Sequence, residues 1–399
     1  MGFVHTVASE HPVSGIDLYS DQVLADPYPY CRQLRDAGPA VWLERHGAWA
    51  LARYEPVVEA LRNPQVFSSA HGCTLNDVGN AAQQGTMLAS DDPLHASLRK
   101  IFAEPLMPGA LAPLRVDLAA QAEALADRLV AAGTFDAVTD LAHFLPLTVV
   151  RSLVGLPAHG CERMLEWAAA MFNAFGPIDN ARTQSAFPLI GEVAAYLADE
   201  QTLRELRPGS WSARLLECVD KGMLSRTQAI AMLLDYTGPA LDTTINATSS
   251  AMWLFTQWPD QWDLLRSDPS LIRGAIEETV RLESPIRAFT RYVAGPYDMQ
   301  GLTLEAGTRA LILYASANRD ERHWNDPERF DIRRRTTGHV AFGHGPHLCA
   351  GMHLARLEIT CLLEALARRV RRFELLDMVR PLHNTLRGVG SLRIRAVAA

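Results

Sequence analysis

Cys349 lies in the run Phe342-Gly-His-Gly-Pro-His-Leu-Cys-Ala-Gly351, directly before a strongly helical stretch. Free N–H groups and the dipole at the start of a helix stabilise a thiolate. Glycines at 343, 345 and 351 permit tight turns and a close approach of backbone to a flat ligand. A lone cysteine beside a glycine-rich turn is ordinarily a buried thiol, but ten patterned residues favour a thiolate that ligates a metal.

A second candidate lies in the helix predicted for residues 225 to 257, in the segment Gly238-Pro-Ala-Leu-Asp242-Thr243-Thr244. Pro239 has no N–H for the carbonyl of Asp235, which costs about 3 kcal/mol inside a helix, so a local groove is expected. Asp242 and Thr243 could relay protons from that groove. The alternative is a kinked core helix with a threonine bonded to its own backbone.

Two charged pairs have helical spacing. Glu278 and Arg281 are three residues apart, and His95 and Arg99 are four apart, so each pair shares a helix face. Either pair alone is typical of a solvated helix surface and carries little information. Their weight comes from occurring in one chain with the cysteine loop.

The cysteine loop resembles the F-G-x-G-x-H-x-C-x-G motif of the cytochrome P-450 superfamily. Glu-Thr-Val-Arg281 resembles the E-x-x-R motif of that family, and Pro327-Glu-Arg-Phe330 its P-E-R-F segment. His95-Ala-Ser-Leu-Arg99 is similar to the H-x-x-x-R of the family's C helix. The segment from Gly238 resembles A-G-x-D-T-T, with Pro239 and Ala240 where alanine and glycine are usual.

The resemblance implies a mainly α fold with a smaller β region, in which haem b lies between the long oxygen-binding helix and the cysteine loop. We expect one domain over residues 1–399, with β-rich parts at about 41–53, 286–315 and 373–397. Cys349 would be the axial ligand of the iron, and Glu278, Arg281 and Arg329 a structural triad. The residues expected to contact the cofactor are His95, Arg99, Ala240, Arg291, His339, Phe342, Gly343, His347, Cys349 and Gly351.

Asp242 and Thr243, as the resemblance implies, favour a monooxygenase that uses dioxygen over a peroxide-dependent member. Fifty residues follow Cys349, so we expect no flavin or iron-sulfur cluster on the chain and a separate ferredoxin with its reductase as the electron source. A basic cluster is predicted to dock that ferredoxin through charge complementarity. Its members are Arg99, Lys100, Arg333, Arg334, Arg335, Arg356, Arg368 and Arg369.

The substrate is expected to be a small organic molecule. Residues 284–291 and 241–246 are similar to bacterial members that act on para-substituted aromatic acids and methoxyaromatics, which suggests hydroxylation or O-demethylation in aromatic catabolism. Candidate partners for a substrate carboxylate are Arg287, Ser69 and His71, with a surface or a propionate-binding position as equal alternatives for Arg287. The expected pocket residues are Phe172, Phe175, Pro239, Ile286, Phe289 and Leu386. Alternatives are the same chemistry on a terpenoid or alicyclic compound, and a haem-thiolate protein that binds a gas or ligand without turnover.

Composition narrows the class of protein. The net charge of −7 argues against nucleic-acid binding. Six cysteines without any C-x-x-C pair are typical of reduced thiols, and we find no signal-peptide pattern and no run of about 18 uninterrupted apolar residues. A cytoplasmic protein without a membrane anchor is therefore expected.

Hydrophobic periodicity predicts the elements that position these residues. Residues 41–53 predict a hairpin around His46-Gly47, and residues 287–294 and 308–315 further strands. Residues 68–92 lack periodicity and predict a long loop. Helices are predicted at 55–63, 93–104, 113–132, 138–155, 160–175, 184–206, 210–221, 225–257, 270–283 and 351–372.

Overall fold

The computed structural model describes residues 11–399. Helices form most of its ordered elements. The α-helices of this range are α1 (Asp21–Ala25), α2 (Tyr28–Ala37), α3 (Tyr54–Arg62), α4 (Asp77–Gln83), α5 (Leu94–Ala103), α6 (Pro108–Leu111), α7 (Leu114–Ala132), α8 (Phe144–Val149), α9 (Met164–Asn173), α10 (Ala181–Ala198), α11 (Glu200–Arg204), α12 (Trp211–Asp220), α13 (Arg226–Gln257), α14 (Pro259–Ser267), α15 (Ile272–Leu282), α16 (Tyr314–Ala317) and α17 (Met352–Ala367).

Within the described range, three sheets form the smaller β region. The largest has the strand order β1-β2-β3-β9-β6-β4, a second has β10-β11-β5, and β7 pairs with β8. The strands are β1 (Val13–Ser14), β2 (Val41–Leu43), β3 (Ala48–Leu51), β4 (Phe67–Ser68), β5 (Thr134–Asp136), β6 (Phe289–Val293), β7 (Tyr297–Met299), β8 (Leu302–Leu304), β9 (Arg309–Ile312), β10 (Val370–Val379) and β11 (Ser391–Ala398). The fold is thus mainly α with a smaller β region, as predicted.

Helix α13 runs through the main core and carries part of the candidate site. It begins with a capping box, in which the Ser225 hydroxyl accepts from the Gln228 amide and the Gln228 side chain accepts from the Ser225 amide. Leu233, Leu241 and Leu254 of this helix are fully buried. Helices α9, α12 and α15 pack against it, so the position of this helix is fixed from several sides.

The predicted hairpin is present, with Val41 opposite Ala50 and a left-handed φ of 55° at Gly47. Three predictions were wrong in detail. Helix α4 interrupts the predicted loop, because Asn76 caps it by accepting from the Gly79 amide. The predicted helix 184–206 breaks at Asp199, whose side chain caps α11, and the chain after Ala367 enters strand β10.

The predicted helix 138–155 is also not regular, because π-helical turns at Ala137–Ala142 and Val150–Val154 flank α8. Ala137–Val154 is long and apolar enough to span a membrane, and half of it is buried inside the protein. Leu141, Leu145 and Val149 belong to the main core. This burial is typical of a core helix.

Candidate active site

The Cys349 loop is closed by backbone hydrogen bonds. The Cys349 amide donates to the Phe342 carbonyl at 2.8 Å, and the Gly343 amide donates to Val340 at 2.9 Å. Gly343 and Gly345 have φ of 74° and 69°, and a Cβ at Gly345 would collide with the Leu61 carbonyl. These two glycines are therefore required by conformation and by close packing.

The Cys349 sulfur accepts hydrogen bonds from the amides of Gly351 and Met352, at the start of α17. Burial raises the pKa of the thiol, while these amides and the nearby guanidinium groups of Arg99 and Arg356 oppose the rise. N–H groups aimed at sulfur are typical of a thiolate that ligates a metal.

Four side chains that can donate hydrogen bonds gather beside the loop, those of His95, Arg99, Arg291 and His347. The rings of His95 and His347 lie 4.1 Å apart. Burial and the charges of Arg291, His95 and Arg99 lower the pKa of His347 to about 3. The buried Nε2 of His95 has no hydrogen-bond partner among residues 11–399, although Nδ1 lies 3.4 Å from Asp92. A cluster of this kind is suited to an anionic ligand.

His339 lies beside the cysteine loop but outside this cluster, and its role as a cofactor contact stays a prediction. Its Nε2 lies 2.8 Å from Glu277, and its Nδ1 accepts from the Ala341 amide. Arg356 also donates to Glu277, at 2.6 and 2.9 Å. Burial alone would raise the pKa of Glu277, but these two partners outweigh it and lower that pKa to about 2. Glu277, which sequence reasoning missed, holds α15 to the cysteine loop and α17.

Glu278 and Arg281 form a fully buried bidentate pair with distances of 2.7 and 2.9 Å. The third member is Arg334, whose Nε donates to Glu278 at 2.9 Å. The predicted Arg329 side chain is exposed, and only its backbone carbonyl accepts from Arg281 and Arg334. The triad therefore contains Arg334 in place of Arg329, because the chain turns after Phe330 and returns a later arginine to the glutamate.

Residues 239–246 of α13 include a partly accessible row between buried neighbours, comprising Pro239, Ala240, Asp242, Thr243 and Asn246. The Thr243 hydroxyl donates to the Pro239 carbonyl at 2.8 Å. Burial raises the pKa of Asp242 to about 7. The acid and the alcohol are thus neighbours on one accessible strip, and Asp242 can exchange a proton near neutral pH.

Aromatic rings form a continuous series next to this strip. The ring centroids are 6.0 Å apart for Phe172 and Phe175, 5.3 Å for Phe175 and Phe289, and 6.0 Å for Phe289 and Tyr314. Ile286 pairs with Leu386 through an isolated bridge. The structure therefore brings five of the six predicted pocket residues together in two groups, and the sixth, Pro239, lies on α13.

Close contacts hold both groups against α13. A Cβ at Gly238 would collide with Met171 of α9, and a Cβ at Gly388 would collide with Asn246. These two contacts lie on either side of the turn that carries Asp242 and Thr243. The aromatic residues of α9 and the segment around Leu386 therefore approach the same part of the helix.

The residues expected to meet a substrate carboxylate are placed differently from the prediction. The Arg287 guanidinium is buried and donates to the carbonyls of Leu18 and Asn384, both at 3.3 Å. His71 is exposed and stacks on Tyr292. The Ser69 hydroxyl is buried beside Cys73. Arg287 is thus used within the fold, which corrects its role as a carboxylate partner.

The donor set fits haem b. Haem carries an iron that a cysteine sulfur can ligate and two propionates that His95, Arg99, Arg291 and His347 could hold. With a proton on Nε2, the His95 ring could donate to such a propionate, which would give this buried atom a partner. When bound, haem supplies the iron at which dioxygen is activated, and the chain supplies the sulfur ligand and the proton-bearing groups.

The comparisons with known proteins agree with this geometry. Residues 261–393 match the family model of cytochrome P-450. The chain is 38% identical over 403 residues to cytochrome P-450 CYP199A2 of Rhodopseudomonas palustris, covering 99% of this chain and 98% of the relative. It is 30% identical over 400 residues to linalool 8-monooxygenase of Pseudomonas putida, covering 95% and 97%.

Solved structures agree as well. The crystal structure of CalO2 matches with a TM-score of 0.82 and 27% identity, covering 96% of this chain and 99% of that one. CYP109Q5 from Chondromyces apiculatus matches with a TM-score of 0.81 and 27% identity, covering 96% and 98%. Because the identity to these relatives extends over nearly the whole chain and the cysteine loop is present, this chain belongs to the cytochrome P-450 family of haem-containing monooxygenases.

Proposed function

We propose that this monooxygenase hydroxylates or O-demethylates a small aromatic compound with electrons from a separate ferredoxin. The observation that carries the substrate class is the series of rings from Phe172 through Phe175 to Phe289. Aromatic side chains prefer offset or edge-to-face partners at centroid distances of roughly 4.5–7 Å, so a further ring can extend such a series. We call this series, Phe172, Phe175 and Phe289, the aromatic wall. The close contact between Met171 and Gly238 keeps it near α13.

Three parts of the chain would act on such a substrate. The aromatic wall excludes water and holds the ring, which places the reacting C–H bond toward the cofactor. Thr243 holds a hydroxyl proton on the accessible strip of α13. Asp242, with a pKa of about 7, can resupply that proton from solvent.

A binding screen tests the substrate class. The ferric holoprotein would be titrated with para-substituted aromatic compounds and with terpenes such as linalool, following the spin-state change of the haem. We expect aromatic compounds to give the larger change and the lower Kd. Terpenes binding tightly while no aromatic compound binds would overturn the proposal.

The second candidate is oxidation of a terpenoid, which the likeness to a linalool 8-monooxygenase favours. The two candidate substrates differ in whether they need ring stacking against the aromatic wall. A terpenoid such as linalool has no aromatic ring to stack, so Phe175→Leu should change its Kd little. The same variant should weaken an aromatic ligand several-fold, because the ring–ring contacts are worth about 0.5–1.5 kcal/mol beyond their area.

The proposed ferredoxin surface contains fewer residues than the basic cluster predicted from the sequence, because several of those arginines are already paired. Arg334 is paired with Glu278, and Arg356 with Glu277. Arg368 and Arg369 pair with Glu123. Among residues 11–399, three exposed cations of the cluster make no ion pair with a described residue, and these support docking of an acidic partner: Lys100, Arg333 and Arg335.

A further inference from the structure

Asp235 is a carboxylic acid on α13, one turn before the accessible strip that begins at Pro239, and none of the sequence motifs includes it. It lies seven residues before Asp242, and positions i and i+7 share a helix face. Like Asp242, its side chain retains partly accessible surface between the buried residues Leu233 and Tyr236. Pro239 follows one turn later and offers no N–H to its carbonyl. Asp235 therefore lies on the side of the helix that carries the acid and the alcohol.

The carboxyl of Asp235 has no partner among residues 11–399. Its Oδ2 is fully buried without a hydrogen bond, and no lysine, arginine or histidine of this range pairs with it. Two buried glutamates of the same core differ in this respect, since Glu278 is held by Arg281 and Arg334, and Glu283 by Arg319. Asp235 thus does not serve as a structural ion pair, and an unsatisfied buried acceptor requires a donor from elsewhere.

The neighbourhood of Asp235 matches one end of an aromatic pocket. Gly238, less than one turn away, is in contact with Met171, and Phe172 follows directly on α9. The helical rise places Asp235 about 12 Å along the axis from Thr243. A single-ring compound with substituents at both ends can thus lie between the carboxyl and the reacting region.

We propose that Asp235 is the polar anchor of the substrate pocket and selects an aromatic substrate whose far end donates a hydrogen bond, an amine or a hydroxyl, against one that ends in a carboxylate. This inference rests on the proposed oxidation of a small aromatic compound. A carboxylate would face a second acid with no cation between them, which is unfavourable in a desolvated site. The placement of Arg287 on the carbonyls of Leu18 and Asn384 removes the cation that the sequence offered for such a substrate.

Three probes that share one para-methoxy ring test this selection: 4-methoxybenzylamine, 4-methoxybenzyl alcohol and 4-methoxybenzoate. Their Kd values would be measured from the spin-state change of the ferric holoprotein, in the wild type, in Asp235→Asn and in the exposed-site control Asp220→Asn. We expect the wild type to bind the amine or the alcohol at least tenfold more tightly than the benzoate. Asp235→Asn should reduce that ratio at least fivefold, and Asp220→Asn should leave it unchanged.

The outcomes separate this inference from the proposed function. Tighter binding of the benzoate by the wild type, or an unchanged ratio in Asp235→Asn, would overturn the role of Asp235 while leaving an aromatic substrate in place. If none of the three probes binds and terpenes do, the proposed function itself fails, and the inference fails with it. The carbon monoxide spectrum of the ferrous protein shows whether the variant has folded around haem.

Discussion

The hydroxyl of Thr243 donates to the carbonyl of Pro239 at 2.8 Å. This bond turns the hydroxyl proton toward the helix backbone, one residue away from a carboxyl whose pKa burial raises to about 7. A proton can leave Thr243 only if that bond is exchanged, and Asp242 is the neighbouring group able to replace the proton. The pair therefore forms a short proton relay, in which the titratable carboxyl of Asp242 supplies protons to the Thr243 hydroxyl.

The relay predicts a pH profile. Since Asp242 has a pKa of about 7, its protonated fraction falls as pH rises through that value, and turnover should fall with it. Asp242→Asn carries no exchangeable acid, so kcat should drop by about 100-fold and lose this pH dependence. Asp220→Asn, on the exposed face of α12, is the control. A wild-type profile that is flat from pH 6 to 8.5 would rule out the relay.

Replacing Asp235 by a neutral residue should stabilise the protein, and the gain should depend on pH. Burial raises the pKa of Asp235 from 3.8 to about 7. Below pH 3.8 the carboxyl is protonated in the folded and the unfolded protein, so its stabilising contribution is fully present. As the pH rises toward 7 the unfolded protein ionises first, and that contribution to the free energy of unfolding is lost. Ionising it in the fold then costs on the order of 4 kcal/mol, at about 1.4 kcal/mol per pKa unit. Asp235→Asn should accordingly raise Tm by several degrees at pH 8 and by little near pH 4. Equal Tm values at pH 8 would contradict the burial of an ionisable group.

Cys349 predicts a spectroscopic signature. The ferrous carbon monoxide complex should show the red-shifted Soret band of thiolate ligation, and Cys349→His should abolish it. Cys361→Ala is the matched control, because Cys361 is a buried thiol on α17 whose pKa burial raises to about 11. The control variant should retain the band. Loss of the band in Cys361→Ala, or its survival in Cys349→His, would contradict the assignment of Cys349 as the ligand.

Arg334 and Arg329 provide a matched pair for the buried triad. Arg334→Ala removes a side chain that donates to Glu278 at 2.9 Å, which leaves part of a buried carboxylate unpaired and should cost about 3 kcal/mol of unfolding free energy. Arg329→Ala should cost less than about 0.5 kcal/mol, because its side chain is exposed and its carbonyl remains. Denaturant unfolding of both holoproteins measures the difference. Equal losses would mean that Arg329 is the third member after all.

The site was predictable wherever local spacing carries the information. Glycines and a cysteine at fixed intervals before a helix, or Glu278 and Arg281 three residues apart, constrain geometry within a few residues. Arg334 could not be distinguished from Arg329, because the choice depends on the path of the chain after Phe330. Glu277, which pairs with His339 62 residues away, likewise depends on tertiary packing. Asp235 had a usable signal in its seven-residue spacing from Asp242, although the absence of a partner is visible only in three dimensions.

The last prediction concerns the three unpaired cations proposed to dock ferredoxin. The double variant Lys100→Glu with Arg335→Glu reverses two exposed charges that make no described ion pair, so the KM for a cognate ferredoxin should rise about tenfold at low salt while kcat stays near its original value. The effect should shrink as ionic strength rises, because exposed charges are screened over about 10 Å at 0.1 M salt. Arg393→Glu on β11, an exposed arginine outside the cluster, is the single-charge control and should leave KM unchanged. If the double variant and the control give the same KM at every salt concentration, ferredoxin docks on another face of the protein.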